Sequence, residues 1–208
     1  PKTKYRVGIV WKTNVVSGSS KFKSMELTTL LQIVSDKFQF ISLAIDISPD
    51  DKKLLEQYGV DTYRGSEEDV LDRYYQCAIK YNCNVIVRLT SDNPLNDPKI
   101  IDKCISEFEK NHFDYISNTN KQENKHNIFY QCGYPLGFAV EVFTFTALKK
   151  SWENAKKPSE REHVTPYILN NPHLFKIGSI ENITNNSDIR LSVDHQVDFV
   201  LQLNVKMT

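Results

Sequence analysis

The chain has 208 residues, of which 40% are hydrophobic and 25% are charged, so it has enough apolar material for a buried core and is unlike a disordered segment. Its 26 basic residues equal its 26 acidic residues, and this balance gives no overall field that would attract a nucleic acid or a membrane surface. No apolar run approaches the roughly 20 residues that a membrane-spanning helix needs. The four cysteines lack C-x-x-C spacing, as reduced cysteines of a cytoplasmic protein would. We therefore predict a cytoplasmic protein with neither a nucleic-acid nor a membrane partner.

Apolar periodicity predicts a regular alternation of strands and helices in the first half of the chain. In chain order, the predicted elements are a strand at 6–11, a helix at 26–37, a strand at 38–46, a helix at 49–58, a short strand at 60–63, a helix at about 66–82, a strand at 84–90, a helix at 98–110 and a strand at 113–117. The strand at 84–90 is almost continuously apolar, so we expect it to be buried on both faces.

The second half of the chain is less regular. Residues 118–134 are polar and predict a long loop, of a kind that serves in compact domains more often as a lid or binding loop than as a simple connection. The elements predicted after this loop are a strand at 137–143, a helix at 144–156, a helix around 161–169, strands at 174–180 and 188–194, and a helix from residue 196.

This alternation predicts an α/β fold of the Rossmann-like kind, with a mostly parallel central sheet and helices on both faces. No linker divides the sequence. We expect a single domain over residues 1–208, which could belong to a longer chain.

Two aspartates follow predicted strands in the same way. Asp92 comes after "VIVRLTS", and Asp194 comes after "IRLSV". If both strands lie in one sheet and run in the same direction, the two carboxylates share an edge and could bind one Mg²⁺ together with substrate phosphate oxygens. Alternatively, each aspartate merely forms a turn or caps the helix behind it. Spacing alone leaves both interpretations open.

The first loop, "SGSSKFK" at 17–23, contains a glycine, three hydroxyls and two lysines. Gly18, Ser19 and Lys21 could hold a phosphate through backbone N–H groups and an ammonium charge. The loop lacks the Gly-Lys-Ser/Thr ending of a P-loop. A solvated polar loop explains the same composition.

Three polar residues are candidates for substrate binding. Glu141 lies on a predicted strand beside the long loop, where it could bind an acceptor or simply face solvent. His163 could contact substrate or orient Glu162, although a lone helix histidine is more often a packing or capping residue. Arg190 precedes Asp194 on the same predicted strand face, where it could neutralise carboxylates or reach a sugar acid.

Two residues near the start of the helix at 66–82, Ser66 and Arg73, are candidates for nucleotide binding. Ser66 with Asp69 three residues later resembles a capping box. Arg73 could instead pair with Asp69 or Asp72 on the helix surface.

Several stretches, taken in order, carry a resemblance to a known family. They are "YRGSEEDVLDRYYQCAIKYNCNVIVRLTSDNPLNDPKIID", "FDYISNT", "YPLGFAVEVFTFTAL", "PSEREHVTPYI" and "DIRLSVDHQVDF". From residue 63 to about residue 201, the chain resembles the cytidylyltransferases of the spore-coat polysaccharide type. These are relatives of the enzymes that make CMP-activated acidic sugars such as acylneuraminate and 3-deoxy-manno-octulosonate.

The resemblance implies the nucleotide-diphospho-sugar transferase architecture and a reaction in which a sugar attacks the α-phosphate of CTP and releases pyrophosphate. It implies that Asp92 and Asp194 hold Mg²⁺ and that Gly18, Ser19 and Lys21 lie at the triphosphate. It also implies a homodimer that serves surface-glycan synthesis. Because nucleotidyl transfer depends on positioning and charge neutralisation, catalytic roles are assigned to Lys21, Asp92 and Asp194.

The chain differs from the family pattern in three places, one of which is Ser91, because relatives often read G-D-x-P where this chain has Ser91-Asp92-Asn93-Pro94. The family's first loop resembles A-R-x-G-S-x-R-x-P-G-K, whereas this chain reads "WKTNVVSGSSKFKSME", so that Lys21 puts a point charge where a planar arginine fork is usual. Relatives often read Y-P-D-G-L-D-V-E-V-F where this chain has "YPLGFAVEVF", which places Leu136 and Ala139 at acidic positions.

Two hypotheses of different classes follow: a Mg²⁺-dependent cytidylyltransferase that acts on CTP and a sugar, or a catalytically silent module that binds a nucleotide or a sugar. The two strand-end aspartates favour the enzyme, and the divergent first loop favours the silent module. A glycosyltransferase with an aspartate pair has less support, because Asp92 and Asp97 are too far apart to form a D-x-D motif.

Overall fold

The structure of the protein is a computed structural model, which describes residues 5–10, 26–36, 38–44, 47–90, 92–93, 95–119, 121–124, 127–130 and 132–193. The chain divides into two compact units, residues 1–67 and residues 68–208, and each is described by itself below. The single domain expected over the whole chain stays a prediction.

The first unit contains a three-stranded parallel sheet in the order β1-β2-β3. Its elements are β1 (Tyr5–Ile9), α1 (Leu27–Leu30), a 3-10 helix (Leu31–Ile33), β2 (Phe38–Ser42), α2 (Pro49–Gln57) and β3 (Asp61–Thr62). The helix expected at 26–37 is therefore shorter than predicted and ends where Val34 adopts an extended conformation. The buried core of the first unit is formed by apolar residues of α1, the 3-10 helix, β2 and α2, among them Leu27, Leu31, Phe40 and Leu55.

The second unit contains most of the described chain. Its elements are α3 (Val70–Lys80), β4 (Val85–Arg88), α4 (Pro98–Asn111), β5 (Tyr115–Ser117), β6 (Lys121–Asn124), β7 (Asn127–Tyr130), β8 (Glu141–Thr144), α5 (Phe145–Asn154), α6 (Pro158–His163), α7 (Pro166–Asn170), a 3-10 helix (Pro172–Leu174) and β9 (Ile177–Ser179).

Four of these strands form a mixed sheet in the order β4-β8-β5-β9. Strand β8 is antiparallel to both of its neighbours, whereas β5 and β9 are parallel. Successive residues of a strand point to opposite faces, and the core follows this rule: Tyr115 and Phe143 pack with α3 and α5, whereas Ile116 and Val142 pack with α4. Helices therefore cover both faces of this sheet, and the α/β prediction is confirmed.

Strand β4 differs from the prediction that it would be buried on both faces. Val85 and Val87 are 44% and 38% exposed, whereas Ile86 packs against the core on the α3 side of the sheet. Among the described residues, α4 packs on β5 and β8, and it leaves the outer row of β4 accessible.

Two further predictions about local structure are wrong. The residues 118–134 do not form a simple loop, because β6 and β7 pair as an antiparallel hairpin. The single helix expected around 161–169 is two helices, α6 and α7, which are separated at Val164 and Thr165. Pro166 occupies the first turn of α7, where its missing N–H costs nothing.

Candidate functional site

The turn that carries Asp92 lies beyond the last residue of β4. The N–H of Asn93 donates to the carbonyl of Thr90 at 3.1 Å, and the Asn93 side-chain amide donates to the Thr90 hydroxyl at 3.0 Å. Asn93 is buried and Asp92 is half-buried. Within the described ranges, no hydrogen-bond donor contacts the Asp92 carboxylate.

The segment that leads to Asp194 lies directly beside this turn. The N–H of Val193 donates to the carbonyl oxygen of Asp92 at 2.8 Å. Farther back, Leu136 donates to Ile189 at 2.9 Å and accepts from Leu191 at 2.6 Å. The strand expected at 188–194 is thus reduced to one bridge between Leu136 and Arg190 in the described part, because the next backbone donor turns to Asp92 instead of continuing the ladder.

Gly137 is required where these two segments meet. It has a φ of +109°, and a Cβ at this position would lie 2.5 Å from the backbone carbon of Leu191 and 2.5 Å from the backbone nitrogen of Ser192. Both distances are far below van der Waals contact, so only glycine permits this close approach of two backbones.

Two asparagines fix residues 138–140 against the ends of neighbouring strands. The fully buried Asn118 donates from its side chain to the carbonyl of Phe138 at 2.6 Å and accepts from the N–H of Val140 at 2.8 Å. Asn96 donates to the carbonyl of Ala139 at 3.3 Å. Sequence reasoning missed both residues, although the polar residue directly after β5 was a usable signal, since polar side chains at strand ends often serve a site.

Glu141 is the centre of a buried polar cluster. It is the first residue of β8 and lies opposite Arg88, the last residue of β4. One N–H of Arg88 donates to Glu141 Oε2 in an ion pair. Glu141 Oε1 accepts from the Tyr115 hydroxyl at 2.8 Å and from the Thr165 hydroxyl at 2.7 Å. Glu141 is only 9% exposed, so the alternative that it is a solvent-facing strand acid is wrong.

The charge states of this cluster follow from its burial. Burial raises the pKa of Tyr115 well above its ordinary value, and the negative charge of Glu141 raises it further. Burial also raises the pKa of Tyr74, against the opposing effect of the Arg88 charge. Burial has the largest single effect on Arg88 and acts to lower its pKa, but Glu141, Tyr74 and Tyr115 together outweigh burial and the pKa is raised. The Tyr115 hydroxyl is therefore a neutral donor to the Glu141 carboxylate, and the Tyr74 hydroxyl beside Arg88 is neutral as well.

His163 is the last residue of α6, and the backbone that follows it is unusual. Val164 has φ +73° and ψ −55°, and the N–H of Thr165 donates to the carbonyl of His163 at 2.9 Å. These values define a classic γ-turn, which is rare and strained. Such a conformation costs about 1–3 kcal/mol and persists only when its surroundings enforce it. The His163 side chain is exposed.

The start of α3 shows which acid caps this helix. The residue at the cap is Asp69, whose carboxylate accepts from the N–H of Asp72 at 2.9 Å, so the capping box predicted at Ser66 is wrong. The reason is tertiary: Arg161 of α6 pairs with Asp69, with its Nε 2.9 Å from Oδ2, and holds that carboxylate at the helix terminus. Ser66 is half-buried in the turn before α3.

Arg73 lies in α3 next to Tyr74, and its positive charge lowers the pKa of Tyr74, less than burial raises it. Of its two suggested partners, Asp69 also pairs with Arg161, and the Asp72 carboxylate also accepts from the Trp152 indole at 2.8 Å. Trp152 stacks on Tyr75 in the core.

The remaining candidates are placed as follows. Arg190 is exposed and its Nε donates to the Ser192 hydroxyl at 3.2 Å. Gly18, Ser19, Lys21 and Asp194 lie outside the described residues. Asp92, Glu141 and Arg190 thus belong to segments that meet around residues 136–140.

Three wider properties complete the description of the chain. Within the described ranges, no three His, Cys, Asp or Glu side chains gather in a metal-binding arrangement. Every helix among the described residues is too short or too polar to cross a membrane. The four cysteines are thiols, and burial raises the pKa of Cys104 to about 11.

Comparisons with known proteins give the class of the molecule. Residues 29–204 match the model of the cytidylyltransferase family. The chain is 42% identical over 177 residues to an uncharacterized protein of Methanocaldococcus jannaschii, a match that covers 83% of this chain and 68% of the relative. It is 34% identical over 144 residues to the spore coat polysaccharide biosynthesis protein SpsF of Bacillus subtilis, which covers 68% of this chain and 55% of that protein.

A solved structure agrees with these matches. A cytidylyltransferase from Leptospira borgpetersenii superposes with a TM-score of 0.69 at 30% identity, over 88% of this chain and 76% of that chain. The fold is thus the Rossmann-like α/β fold of nucleotidyltransferases. The chain belongs to the cytidylyltransferase family, and the resemblance noted in the sequence is confirmed.

Proposed function

We propose that the protein is a Mg²⁺-dependent cytidylyltransferase that activates a sugar with CTP for surface-glycan synthesis. In this reaction an oxygen of the sugar forms a bond to the α-phosphorus of CTP, and the bond between the α-phosphorus and the bridging oxygen breaks. Pyrophosphate leaves with the bonding electrons, and the sugar hydroxyl loses its proton. Membership of the cytidylyltransferase family supports the choice of CTP.

One observation carries the proposal for this chain. The N–H of Val193, the residue before Asp194, donates to the carbonyl of Asp92 at 2.8 Å. The backbone of Asp92 therefore contacts the residue that directly precedes Asp194 in the chain. This contact supports a cation shared between the two aspartates.

The donor set at this position fits Mg²⁺. Asp92 is half-buried, and among the described residues its carboxylate has no donor that would compete with a cation. Carboxylate oxygens are the protein ligands that Mg²⁺ prefers. We assign the ion to Asp92 and Asp194, and when bound it would neutralise charge on the triphosphate. The part played by the described residues is to hold the Asp92 turn against Val193.

Other candidate residues receive roles under the same proposal. We assign Gly18, Ser19 and Lys21 to the triphosphate. Ser66 and Arg73 are assigned to the nucleotide. The acceptor sugar is assigned to the remaining candidates, Glu141, His163 and Arg190, whose side chains differ in exposure: Glu141 is buried, whereas the other two are exposed.

The test is a direct assay of pyrophosphate release. Purified protein is incubated with CTP, Mg²⁺ and a pool of neutral and acidic sugars, with the Leptospira cytidylyltransferase assayed in parallel. We expect pyrophosphate in a reaction that depends on the sugar. Its absence with every acceptor, while the Leptospira enzyme is active, would overturn the proposal.

A silent binding module is the second candidate, and the divergent first loop "WKTNVVSGSSKFKSME" favours it. Calorimetry separates the two. For the enzyme we expect CTP binding that requires Mg²⁺ and is lost in Asp92→Ala. A silent module would bind a nucleotide without Mg²⁺, or would not bind it, and the substitution would change nothing.

We also propose a cytoplasmic homodimer, to be checked by light scattering and cell fractionation.

A further inference from the structure

The γ-turn at Val164 is exceptional among the described residues. Three non-glycine residues there have positive φ: Asn82 at +51°, His112 at +52° and Val164 at +73°. The first two are polar residues just after helices, in the left-handed region that such residues tolerate. Val164 is β-branched, and its ψ of −55° places it outside that region. Nothing in the local sequence favours this conformation, so its surroundings must impose it.

Two contacts impose it. The Val164 side chain is 1% exposed and packs in the core formed with Leu71, Leu148 and Ile168. On the other side of the turn, the Thr165 hydroxyl donates to Glu141 Oε1 at 2.7 Å, and Thr165 is 4% exposed. The turn is thus held by an apolar anchor and by a polar clamp, and the clamp is the contact between Thr165 and Glu141.

The clamp connects the turn to the site end of the second sheet. Glu141, Arg88 and Ser117 form one row across three strands, at the first residue of β8 and the last residues of β4 and β5. The chain beyond Arg88 continues into the Asp92 turn. In open α/β sheets, ligands bind outside the carboxyl ends of the strands. The hydrogen bond between Thr165 and Glu141 therefore connects the strained turn to the strand ends that border the candidate site.

Glu141 itself has little capacity left for a ligand. Its Oε2 accepts from Arg88, and its Oε1 accepts from both Tyr115 and Thr165. By contrast, His163, the first residue of the clamped turn, is exposed, and its imidazole makes no hydrogen bond or ion pair among the described residues. Glu141 is therefore placed to hold other residues in position, whereas His163 is accessible to a substrate.

We propose that the γ-turn, clamped by Thr165 and Glu141, positions His163 to bind the hydroxyl or carboxylate oxygens of the acceptor sugar. Thr165, Val164 and Glu141 are then positioning residues that act through His163. This inference rests on the proposed cytidylyltransferase function for its acceptor, and it moves Glu141 from a ligand contact to a support.

The test compares Thr165→Val, which removes the hydroxyl at nearly constant shape, with Thr165→Ser, which keeps it. The first readout is hydrogen exchange of the amide at position 165, which closes the γ-turn. We expect Thr165→Val to increase its exchange rate at least about ten-fold, and Thr165→Ser to leave it close to the wild-type rate. Equal protection in all three proteins would overturn the clamp. This readout needs no activity, so it tests the clamp even if the proposed function fails.

The second readout is steady-state kinetics with the acceptor found for the wild type. We expect Thr165→Val to raise the KM for the acceptor roughly ten-fold, with the KM for CTP unchanged, because a misplaced contact group weakens binding of that one substrate. Thr165→Ser should restore the wild-type value. A merely structural role would change both KM values together or neither, and either result would overturn the positioning role.

A double-mutant cycle then tests whether Thr165 acts through His163. His163→Asn alone should raise the KM for the acceptor by a similar factor. If the two residues act in series, Thr165→Val in the His163→Asn background adds less than about two-fold, because the group it positions is already gone. Fully multiplicative effects would show that Thr165 acts independently of His163, and they would overturn the inference.

Discussion

Asp92 and Glu141 are two acids near the same end of the second sheet, and their surroundings differ completely. Glu141 accepts hydrogen bonds from Arg88, Tyr115 and Thr165 and is buried. Asp92 is half-buried, and within the described ranges only its backbone oxygen is engaged, by Val193. A carboxylate saturated with donors stabilises its own structure, whereas one with open oxygens is available to a cation. The two acids are thus distinguished by the number of hydrogen-bond donors around each carboxylate and not by their position at a strand end.

Removing each acid in turn gives the largest expected contrast. Glu141→Leu should lower the free energy of unfolding by about 3–5 kcal/mol, because it leaves the Arg88 charge buried without its partner. Asp92→Asn should change it by less than about 0.5 kcal/mol while it abolishes Mg²⁺-dependent CTP binding. Urea denaturation of both variants measures the free energy of unfolding. Equal losses of stability would contradict the comparison.

The matched control for Glu141→Leu is the double variant Arg88→Met with Glu141→Leu. An apolar pair of similar volume removes the unpaired charge, so we expect the double variant to recover at least half of the stability lost by Glu141→Leu alone. No recovery would mean that the loss comes from the Tyr115 and Thr165 hydroxyls instead of from the charge of Arg88.

A substitution at Gly137 tests the close approach of residues 137 and 191. Gly137→Ala should lower the free energy of unfolding by about 3 kcal/mol for two reasons: alanine is strained at this positive φ, and its Cβ would lie 2.5 Å from the Leu191 backbone. Gly59→Ala is the control: its φ is +66°, but nothing lies within 4 Å of the added Cβ, so it should cost about 1 kcal/mol. Thermal unfolding of the two variants gives the comparison, and similar costs would show that contact at Leu191 is unimportant.

The smallest effect concerns alkaline pH and is confined to the Glu141 cluster. Burial and then Glu141 raise the pKa of Tyr115, whereas a tyrosine in an unfolded chain ionises at about pH 10. Above about pH 10 the folded protein therefore binds more protons than the unfolded chain, and its stability falls as pH rises; below about pH 10 this contribution is fully present. Unfolding free energies measured from about pH 9 to about pH 11 should fall less steeply in Tyr115→Phe than in the wild type. Identical slopes would argue against the buried, neutral hydroxyl.

Much of the fold was predictable because its signals are local. The helix start at Pro49 was predicted from the proline, and the structure adds a cap in which Ser48 Oγ accepts from the N–H of Asp51. The strand and helix order between residues 137 and 180 was also predicted, apart from the broken helix at Val164, whereas the predictions at 118–134 and 188–194 were wrong. The helix predicted from residue 196 lies outside the described residues. A valine with positive φ contradicts local preference, so no sequence pattern would indicate it.

The choice between two possible helix caps shows where local reasoning ends. Ser66 and Asp69 are both good N-cap residues, and the capping-box pattern favoured Ser66. Arg161, which lies 92 positions from Asp69, decides the matter by pairing with its carboxylate. The partners of Glu141 are likewise 24 to 53 positions away along the chain.

The sequence by itself determined the α/β class, the family and the position of Asp92 after a strand, because periodicity, turn residues and ordered motifs are properties of neighbouring residues. The tertiary structure alone decided that Val193 meets Asp92, that only glycine fits at position 137, and that Glu141 is enclosed by three donors. These facts depend on distances between residues far apart in the chain. Burial then makes each such contact obligatory, since a buried polar group without a partner is costly.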